Sequence, residues 1–264
     1  MGRQMTTLDL PDPKDEPLAR SPLTLVVCQV RHDRVMAAAD PRRGLEVHGR
    51  LADRYPEVEQ RSAILGALAF AGGGPPTVSH EQAPTGWQMK SSDAAWTVTL
   101  DPEYFSIETS AYTSWDDFHD RVDALVTAVM DVYEPALEVR IGLRFIDEIV
   151  DPQVDSPVGW KGWIRDELLG TLTHDAFGGA AARTQNIIEL TAPDNYRVVL
   201  RHGTAPTDSG NWVYLLDHDC YRQAGRALTH DNVLATTSDL HTLALQVFQN
   251  AVTDELYRYL RGDA

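Results

Sequence analysis

Apolar and polar positions follow two different periods in the first half of this chain, and those periods predict its strands and helices. Residues 24–32 form a β-branched run without helical spacing, and three short alternating runs follow between residues 86 and 112. Both patterns are typical of strands. Apolar residues recur every three or four positions over 45–55 and over 115–133, where Ser114 occupies the N-cap position. The first half therefore predicts the order strand, helix, strands, helix.

The second half predicts the same order. Its first run, 137–150, places four apolar residues on one face of a strand and two arginines, Arg140 and Arg144, on the other. The remaining predicted elements are a helix over 159–172, a hairpin over 184–205, a strand over 211–223 and a closing helix over 238–260.

Two stretches with the same spacing indicate an internal duplication. Residues 96–100 and 212–216 both begin with Trp, and they continue into the related segments "LDPEYF" and "LDHDCY". We expect an α+β fold with a duplicated unit of strand, helix, about four antiparallel strands and helix. The two units, related by a pseudo-twofold, are similar in order to TATA-binding-protein-like or helix-grip folds.

These units define the expected domain organisation. Residues 21–137 form the first α+β repeat and residues 138–264 the second, and the two are expected to merge into one globular unit. Residues 1–20 are rich in prolines and charged residues and lack the continuous apolar segment of a signal peptide. They predict a disordered N-terminal arm and not a signal peptide.

Several blocks resemble a sporadically distributed family of uncharacterised bacterial and archaeal proteins of this size. The resemblance covers about residues 22–260 and is carried by "PLTLVVCQVRH", "TVTLDPEYFSIETSAYTSWDDF", "VRIGLRFIDEI" and "YLLDHDCY". The chain departs from that family at Leu25, where an acidic residue is usual, at His32, where an aromatic is usual, and around Ile146 and Asp147, where an Asn is common. The resemblance implies the fold and no activity.

The net charge of the chain limits the classes of molecule that it is expected to bind. The chain of 264 residues has a formal net charge of −16, which opposes a phosphate backbone and disfavours nucleic acid as a ligand. No apolar run is long enough to span a bilayer. The two cysteines, Cys28 and Cys220, fall in predicted strands, which favours reduced thiols. We expect a cytoplasmic protein that binds another protein, with a basic partner complementary in charge, and a homodimer is compatible with the sequence.

The strongest candidates for catalysis are Asp217, His218 and Asp219. The chain has no P-loop, CxxC pair, HExxH motif or nucleophile elbow, so we expect no cofactor and no ready-made metal cage. Carboxylates and an imidazole are ligands for a divalent ion that activates water. Neighbours in a strand point to opposite faces, however, so His218 cannot share a face with both acids. The alternative interpretation is that these are solvated residues at a strand end.

Two further groups of polar residues are candidates for binding. Asp101 and Glu103 form the corresponding acidic pair of the first copy, and the two pairs would form a carboxylate cluster if they faced one another. Arg31 and Arg144 occupy similar places in two predicted strands. Their guanidinium groups would bind a carboxylate or phosphate on an open sheet face, or would pair internally with an acid such as Glu108.

Three functions are compatible with this sequence. The first is a non-enzymatic binding protein whose acidic α+β saddle engages a protein partner, in a toxin–antitoxin or defence-type system. The second is a metal-assisted hydrolase with a carboxylate and histidine site on the sheet face. The third is a small-ligand binder that uses a cavity between helices and sheet.

Overall fold

The computed structural model describes residues 7–69, 77–151, 153–208 and 210–263. The glycines and prolines of "AGGGPP", residues 71–76, predict a loop, and this segment lies outside the described residues. Within the described part, the chain forms an α+β fold with a large antiparallel sheet and five α-helices. The strands are β1 (Leu23–His32), β2 (Glu57–Ala69), β3 (Thr77–Lys90), β4 (Trp96–Asp101), β5 (Tyr104–Thr109), β6 (Leu137–Val150), β7 (Asn186–Thr191), β8 (Tyr196–Pro206) and β9 (Trp212–Ala227). The helices are α1 (Pro41–Leu51), α2 (Trp115–Tyr133), α3 (Asp166–Leu169), α4 (His230–Ala251) and α5 (Asp254–Arg261).

The nine strands form one continuous sheet in the order β2-β3-β4-β5-β1-β6-β9-β8-β7. All the strand pairs are antiparallel. The first strands of the two halves, β1 and β6, pair directly at the middle of this order. The sheet therefore continues from one half of the chain into the other.

The long helices cover one face of the sheet. α4 packs on β6 and β9, and α2 lies between α1 and α4. Alternate residues of the strands are buried on this face, as Val26, Cys28 and Val30 of β1 show. The opposite face carries the intervening polar residues and is called here the open face.

The capping of α2 agrees with the sequence prediction. Ser114 is extended, and its hydroxyl accepts a hydrogen bond from the backbone N–H of Asp117. Two acidic residues follow in the first turn, where a carboxylate complements the helix dipole. The helix ends at Tyr133, because Glu134 adopts a left-handed conformation with φ of 50° ahead of Pro135.

Two predicted helices differ from the observed ones. The region 159–172 contains only the short helix α3 and single 3₁₀ turns. It is held instead by Trp160, which is fully buried and donates a hydrogen bond from Nε1 to Thr204 Oγ1 at 2.7 Å. The closing helix is interrupted between α4 and α5, where Val252 forms a bridge with Ile164. Apolar spacing continues through such a break, so periodicity alone does not reveal it.

The two "LD" segments do not have the same local structure, which corrects the sequence alignment of the two halves. "LDPEYF" is the end of β4, a turn and the start of β5, whereas "LDHDCY" lies inside the single strand β9. β9 pairs directly with β6, but β4 is separated from β1 by β5. The shared letters therefore occupy strands with different places in the sheet.

The described part of the N-terminal arm has defined contacts. Residues 7–20 contain no helix or strand. The side chain of Gln246 in α4 donates to the carbonyl oxygens of Leu10 and Pro11, and Glu16 accepts hydrogen bonds from Arg261 of α5. The arm that the sequence predicts to be disordered therefore contacts β7 at Leu8 and the last two helices from Leu10 onward.

Both cysteines are free and buried, and both face the helices. Cys28 and Cys220 lie on either side of Leu143, in strands separated by β6. Two strand spacings amount to about 10 Å, which is too far for a disulfide. Among the helices of the described residues, none is both long enough and apolar enough to cross a membrane.

Candidate functional site

The acidic residues of β9 lie on the open face and are bound by arginines of β6. Arg144 donates from Nε and Nη2 to the two carboxylate oxygens of Asp217, at 2.7 Å each. Arg140 donates from Nη2 to both oxygens of Asp219, at 2.7 and 2.8 Å. Asp217 is almost fully buried beneath these contacts, and Arg201 approaches its second oxygen at 3.6 Å. These carboxylates are mid-strand partners of arginine and not solvated strand ends, which corrects that sequence interpretation.

The other predicted binding residues do not come together on the open face. Arg144 pairs with an internal acid, as one alternative expected, but the acid is Asp217 and not Glu108. Glu108 and Arg144 lie two strands apart, on either side of Val27. Arg31 is exposed and stands opposite Arg140 in the β1–β6 register. Arg31, Arg144 and Glu108 therefore do not form one anion site.

The four acids do not form a carboxylate cluster. Asp101 Oδ1 accepts from the backbone N–H of Glu103 in the turn between β4 and β5, and Glu103 lies 3.7 Å from Arg34. Asp217 and Asp219 belong to β9, which is four strand steps from β4. Four steps amount to about 19 Å. The predicted cluster is therefore wrong, because the sheet order keeps the pairs apart.

His218 lies on the helix-covered face, opposite to its two acidic neighbours, as the strand period requires. The three residues proposed for a metal-assisted site are thus divided between two faces of the sheet. Within the residues that the structure describes, no group of three or more His, Cys, Asp or Glu side chains is arranged to hold a metal ion. The geometry gives the hydrolase interpretation no common site.

His218 instead lines a cavity of about 420 Å³ between the sheet, the helices and the N-terminal arm. β6 and β9 provide its floor, α4 and the start of α2 provide two walls, and residues 15–18 of the arm provide a third. The lining is mostly apolar and aromatic and includes Leu18, Leu23, Tyr112, Trp115, Phe145, Ala244, Leu245 and Phe248. We call this space the helix–sheet cavity.

Two polar residues lie at the floor of the helix–sheet cavity. Asp147 follows Phe145 on the inward face of β6, and His218 of β9 pairs in register with Phe145, with the two rings stacked at 5.6 Å. The side chains of Asp147 and His218 are 6% and 3% exposed, and Asp147 Oδ2 lies 3.8 Å from His218 Nδ1. That distance is too long for a hydrogen bond. Neither atom has a hydrogen-bond partner in the described structure.

Burial favours the neutral form of both Asp147 and His218. Desolvation raises the pKa of Asp147 to about 8 and lowers the pKa of His218 to about 4. At neutral pH the pair is therefore a carboxylic acid beside a neutral imidazole, and not an ion pair. A carboxyl and an imidazole that are both shifted and both unpartnered are typical of functional sites.

A second imidazole lies in a wall of the cavity. His241 of α4 stacks on the indole of Trp115, with the ring centroids 4.0 Å apart and an angle of 4° between the planes. Desolvation lowers the pKa of His241 to about 4, so it too is neutral at pH 7. The stack joins the first turn of α2 to the middle of α4.

The sequence interpretation missed Asp147 and His241 as site residues, although their pattern contains a signal. Asp147 interrupts the inward apolar series Ile141, Leu143, Phe145 and Ile149, and His218 interrupts the series of Tyr214, Leu216 and Cys220. A polar residue inside a buried apolar series needs a partner or a function. The two interruptions come together because β6 pairs with β9.

No protein-family model matches the chain, and no curated protein sequence matches it.

Proposed function

We propose that this protein binds a small, largely apolar ligand in the helix–sheet cavity. The observation that carries the proposal is the pair of buried, unpartnered polar atoms, Asp147 Oδ2 and His218 Nδ1, on the floor of an otherwise apolar cavity. Binding sites commonly combine an apolar wall with a few convergent polar groups that orient the ligand. This is the third of the functions that the sequence left open.

The surrounding elements support a rigid site. The floor lies on two central strands of a nine-stranded sheet, and the Trp115–His241 stack fixes one wall. The arm that forms the remaining wall is held by Glu16, which pairs with Arg261, and by Gln246. Walls on packed elements need little ordering on binding, which favours affinity.

Blocking the cavity tests the proposal. The neutral fluorophore prodan is titrated into the full chain, and binding is followed by its emission shift. Ala244 is buried and lines the cavity, so Ala244→Trp fills it and is expected to abolish the saturable signal. The matched control is Ala235→Trp on the exposed side of the same helix, which is expected to leave binding unchanged. Equal binding by both variants, or no saturable binding by the wild type, would show that the cavity is not the site.

The order of the strands supports the same proposal. β1 and β6 lie side by side at the centre, each is followed outward by further antiparallel strands, and each half includes a long helix, α2 or α4. When β1 is matched with β6 and the strands are counted outward from the centre, β5 corresponds to β9 and β4 corresponds to β8. We propose that the halves are duplicates in a helix-grip-like arrangement, a type in which the space between helix and sheet serves as a ligand site.

The protein-partner function stays a prediction from composition. The formal charge of −16 still favours a basic partner over an acidic one. The paired arginines and aspartates of the open face neutralise one another locally, so the described contacts do not single out an acidic docking surface there.

A further inference from the structure

We infer that the ligand of the helix–sheet cavity carries a primary ammonium group, which donates hydrogen bonds to Asp147 Oδ2 and His218 Nδ1. This inference rests on the proposed function and adds the chemical class of the ligand. It is argued from the charges that line the cavity, from the two floor atoms and from the aromatic walls.

Among the described residues, the lining of the cavity includes carboxyl groups but no lysine or arginine. Of the described carboxyl groups, Asp15 and Glu16 belong to the arm wall and Asp147 to the floor. The nearest basic residues of the arm are turned toward α5, where Lys14 lies over Tyr257 and Arg20 over Tyr259. An anionic ligand would meet no lysine or arginine in the described lining, while a cation would meet a carboxyl group at the floor.

The two floor atoms fit one donor. They are 3.8 Å apart and neither has a partner among the described residues, so a nitrogen placed between them reaches both within hydrogen-bond distance. An ionised carboxylate accepts hydrogen bonds, and so does Nδ1 of a neutral imidazole whose proton is on Nε2. An ammonium group has three donors and no acceptor, so two of its N–H groups can donate to the two floor atoms while the body of the ligand enters the apolar space.

The walls favour a cation attached to an apolar body. Trp115, Tyr112 and Phe145 present aromatic rings to the cavity, and such rings attract a cation as well as apolar atoms. His241 is stacked on Trp115 and is neutral at pH 7, so it does not oppose the ammonium charge. Of the two arm acids, Glu16 is paired with Arg261, and Asp15 adds negative charge to the arm wall.

Binding also requires a change in protonation. The carboxyl group of Asp147 is protonated in the free protein at pH 7, since its pKa is about 8. When the ammonium ion binds, the carboxyl group gives its proton to the buffer and forms an ion pair with the ligand. Binding of an ammonium ligand therefore releases up to one proton per site, and binding of a neutral ligand in the same place releases none.

Calorimetry with three ligands of equal size tests the inference. 1-Naphthylmethylamine, 1-naphthylmethanol and 1-naphthoate are titrated into the full chain at pH 7, in two buffers of different ionisation enthalpy. We expect the amine to bind at least about tenfold more tightly than the alcohol, as a charge-assisted hydrogen bond predicts. We expect proton release with the amine alone and no measurable binding of the carboxylate.

Two variants locate the effect on the floor. Asp147→Asn keeps the shape of the side chain, and it is expected to lower amine affinity about tenfold while alcohol affinity changes less than about twofold. Asp53→Asn, on an exposed residue, is the control and is expected to change neither. Blocking by Ala244→Trp is repeated with the amine, because it separates cavity binding from binding elsewhere.

The outcomes distinguish this inference from the proposed function. If the alcohol binds as tightly as the amine, the ammonium assignment is wrong and the cavity remains a neutral-ligand site. If Asp147→Asn leaves amine affinity unchanged, the assignment is equally wrong. If no ligand binds and prodan binding is insensitive to Ala244→Trp, the proposed function itself fails.

Discussion

Single polar residues in apolar surroundings are the most informative residues of this protein. Asp147 and His218 occupy inward strand positions that otherwise carry apolar side chains, and each is buried without a partner for one polar atom. Such groups cost free energy of folding unless a ligand or another group compensates them. The pair is therefore better explained by binding than by stability.

The pH dependence of stability tests the burial of Asp147. Its pKa is 3.8 in an ordinary environment and about 8 in the folded protein, so the folded state holds the proton more tightly. Its contribution to stability is complete below pH 4 and is lost as the pH rises toward 8, with a slope of about 1.4 kcal/mol per pH unit. We expect Asp147→Asn to remove this slope, so that the variant gains stability relative to the wild type between pH 5 and pH 8.

Urea unfolding across that range measures the effect. The exposed control Asp53→Asn should follow the wild-type curve at every pH. A constant difference between Asp147→Asn and the wild type from pH 5 to pH 8 would mean that Asp147 is already ionised and partnered in the folded protein.

At the scale of elements, α1 shows how packing reverses a local preference. Glycine is a poor helix former, and α1 contains two, Gly44 and Gly49. Gly44 is buried against Trp87 of β3, and a Cβ atom there would lie 2.0 Å from the indole. A Cβ atom at Gly49 would have no neighbour within 4 Å.

The two alanine substitutions in α1 are therefore expected to have opposite signs. Gly49→Ala should raise the free energy of unfolding by about 0.5–1 kcal/mol, because it improves helix propensity without a clash. Gly44→Ala should lower it by about 1–3 kcal/mol, because the indole of Trp87 must move. Thermal and urea unfolding of both variants provide the measurement. Stabilisation by Gly44→Ala would show that α1 does not pack on Trp87 in this way.

At the scale of the whole molecule, a buried network of charged side chains joins β6, β9 and α4. Glu138 of β6 is fully buried, and it accepts hydrogen bonds from Arg222 and Arg226 of β9. Both arginines also donate to Thr236 of α4. The network therefore ties the central strand, its neighbour and the covering helix together at one end of the sheet.

Removal of the single acid is expected to destabilise the molecule strongly. Glu138→Gln leaves two arginines without their counter-charge, and Arg222 is only 12% exposed, so we expect a loss of about 3 kcal/mol. The control is Glu46→Gln on the surface of α1, where Glu46 pairs with Arg43 and Arg50, and where we expect a loss of at most about 1 kcal/mol. If urea unfolding gives similar losses for both changes, the buried network contributes no more to stability than the surface ion pairs of Glu46.

The sequence by itself determined several strands and α2 from the period of their apolar residues, although the same kind of period did not reveal the break between α4 and α5. A β-branched run predicted β1, alternating positions predicted β4, β5 and β6, and the repeat of three and four predicted α2 with its Ser114 cap. These patterns are local, because the backbone geometry of each element fixes which side chains share a face. For the same reason the sequence correctly placed His218 on the face opposite to Asp217 and Asp219.

Only the tertiary structure decided which polar residues meet. Asp147 and His218 are 71 positions apart in the chain and come together because β6 pairs with β9. The same pairing brings Asp217 and Asp219 into contact with arginines of β6. The order of the strands keeps these two acids far from Asp101 and Glu103. Strand order and register depend on contacts between distant segments, which periodicity does not encode. The candidate site is therefore a property of the assembled sheet, while its elements are properties of the sequence.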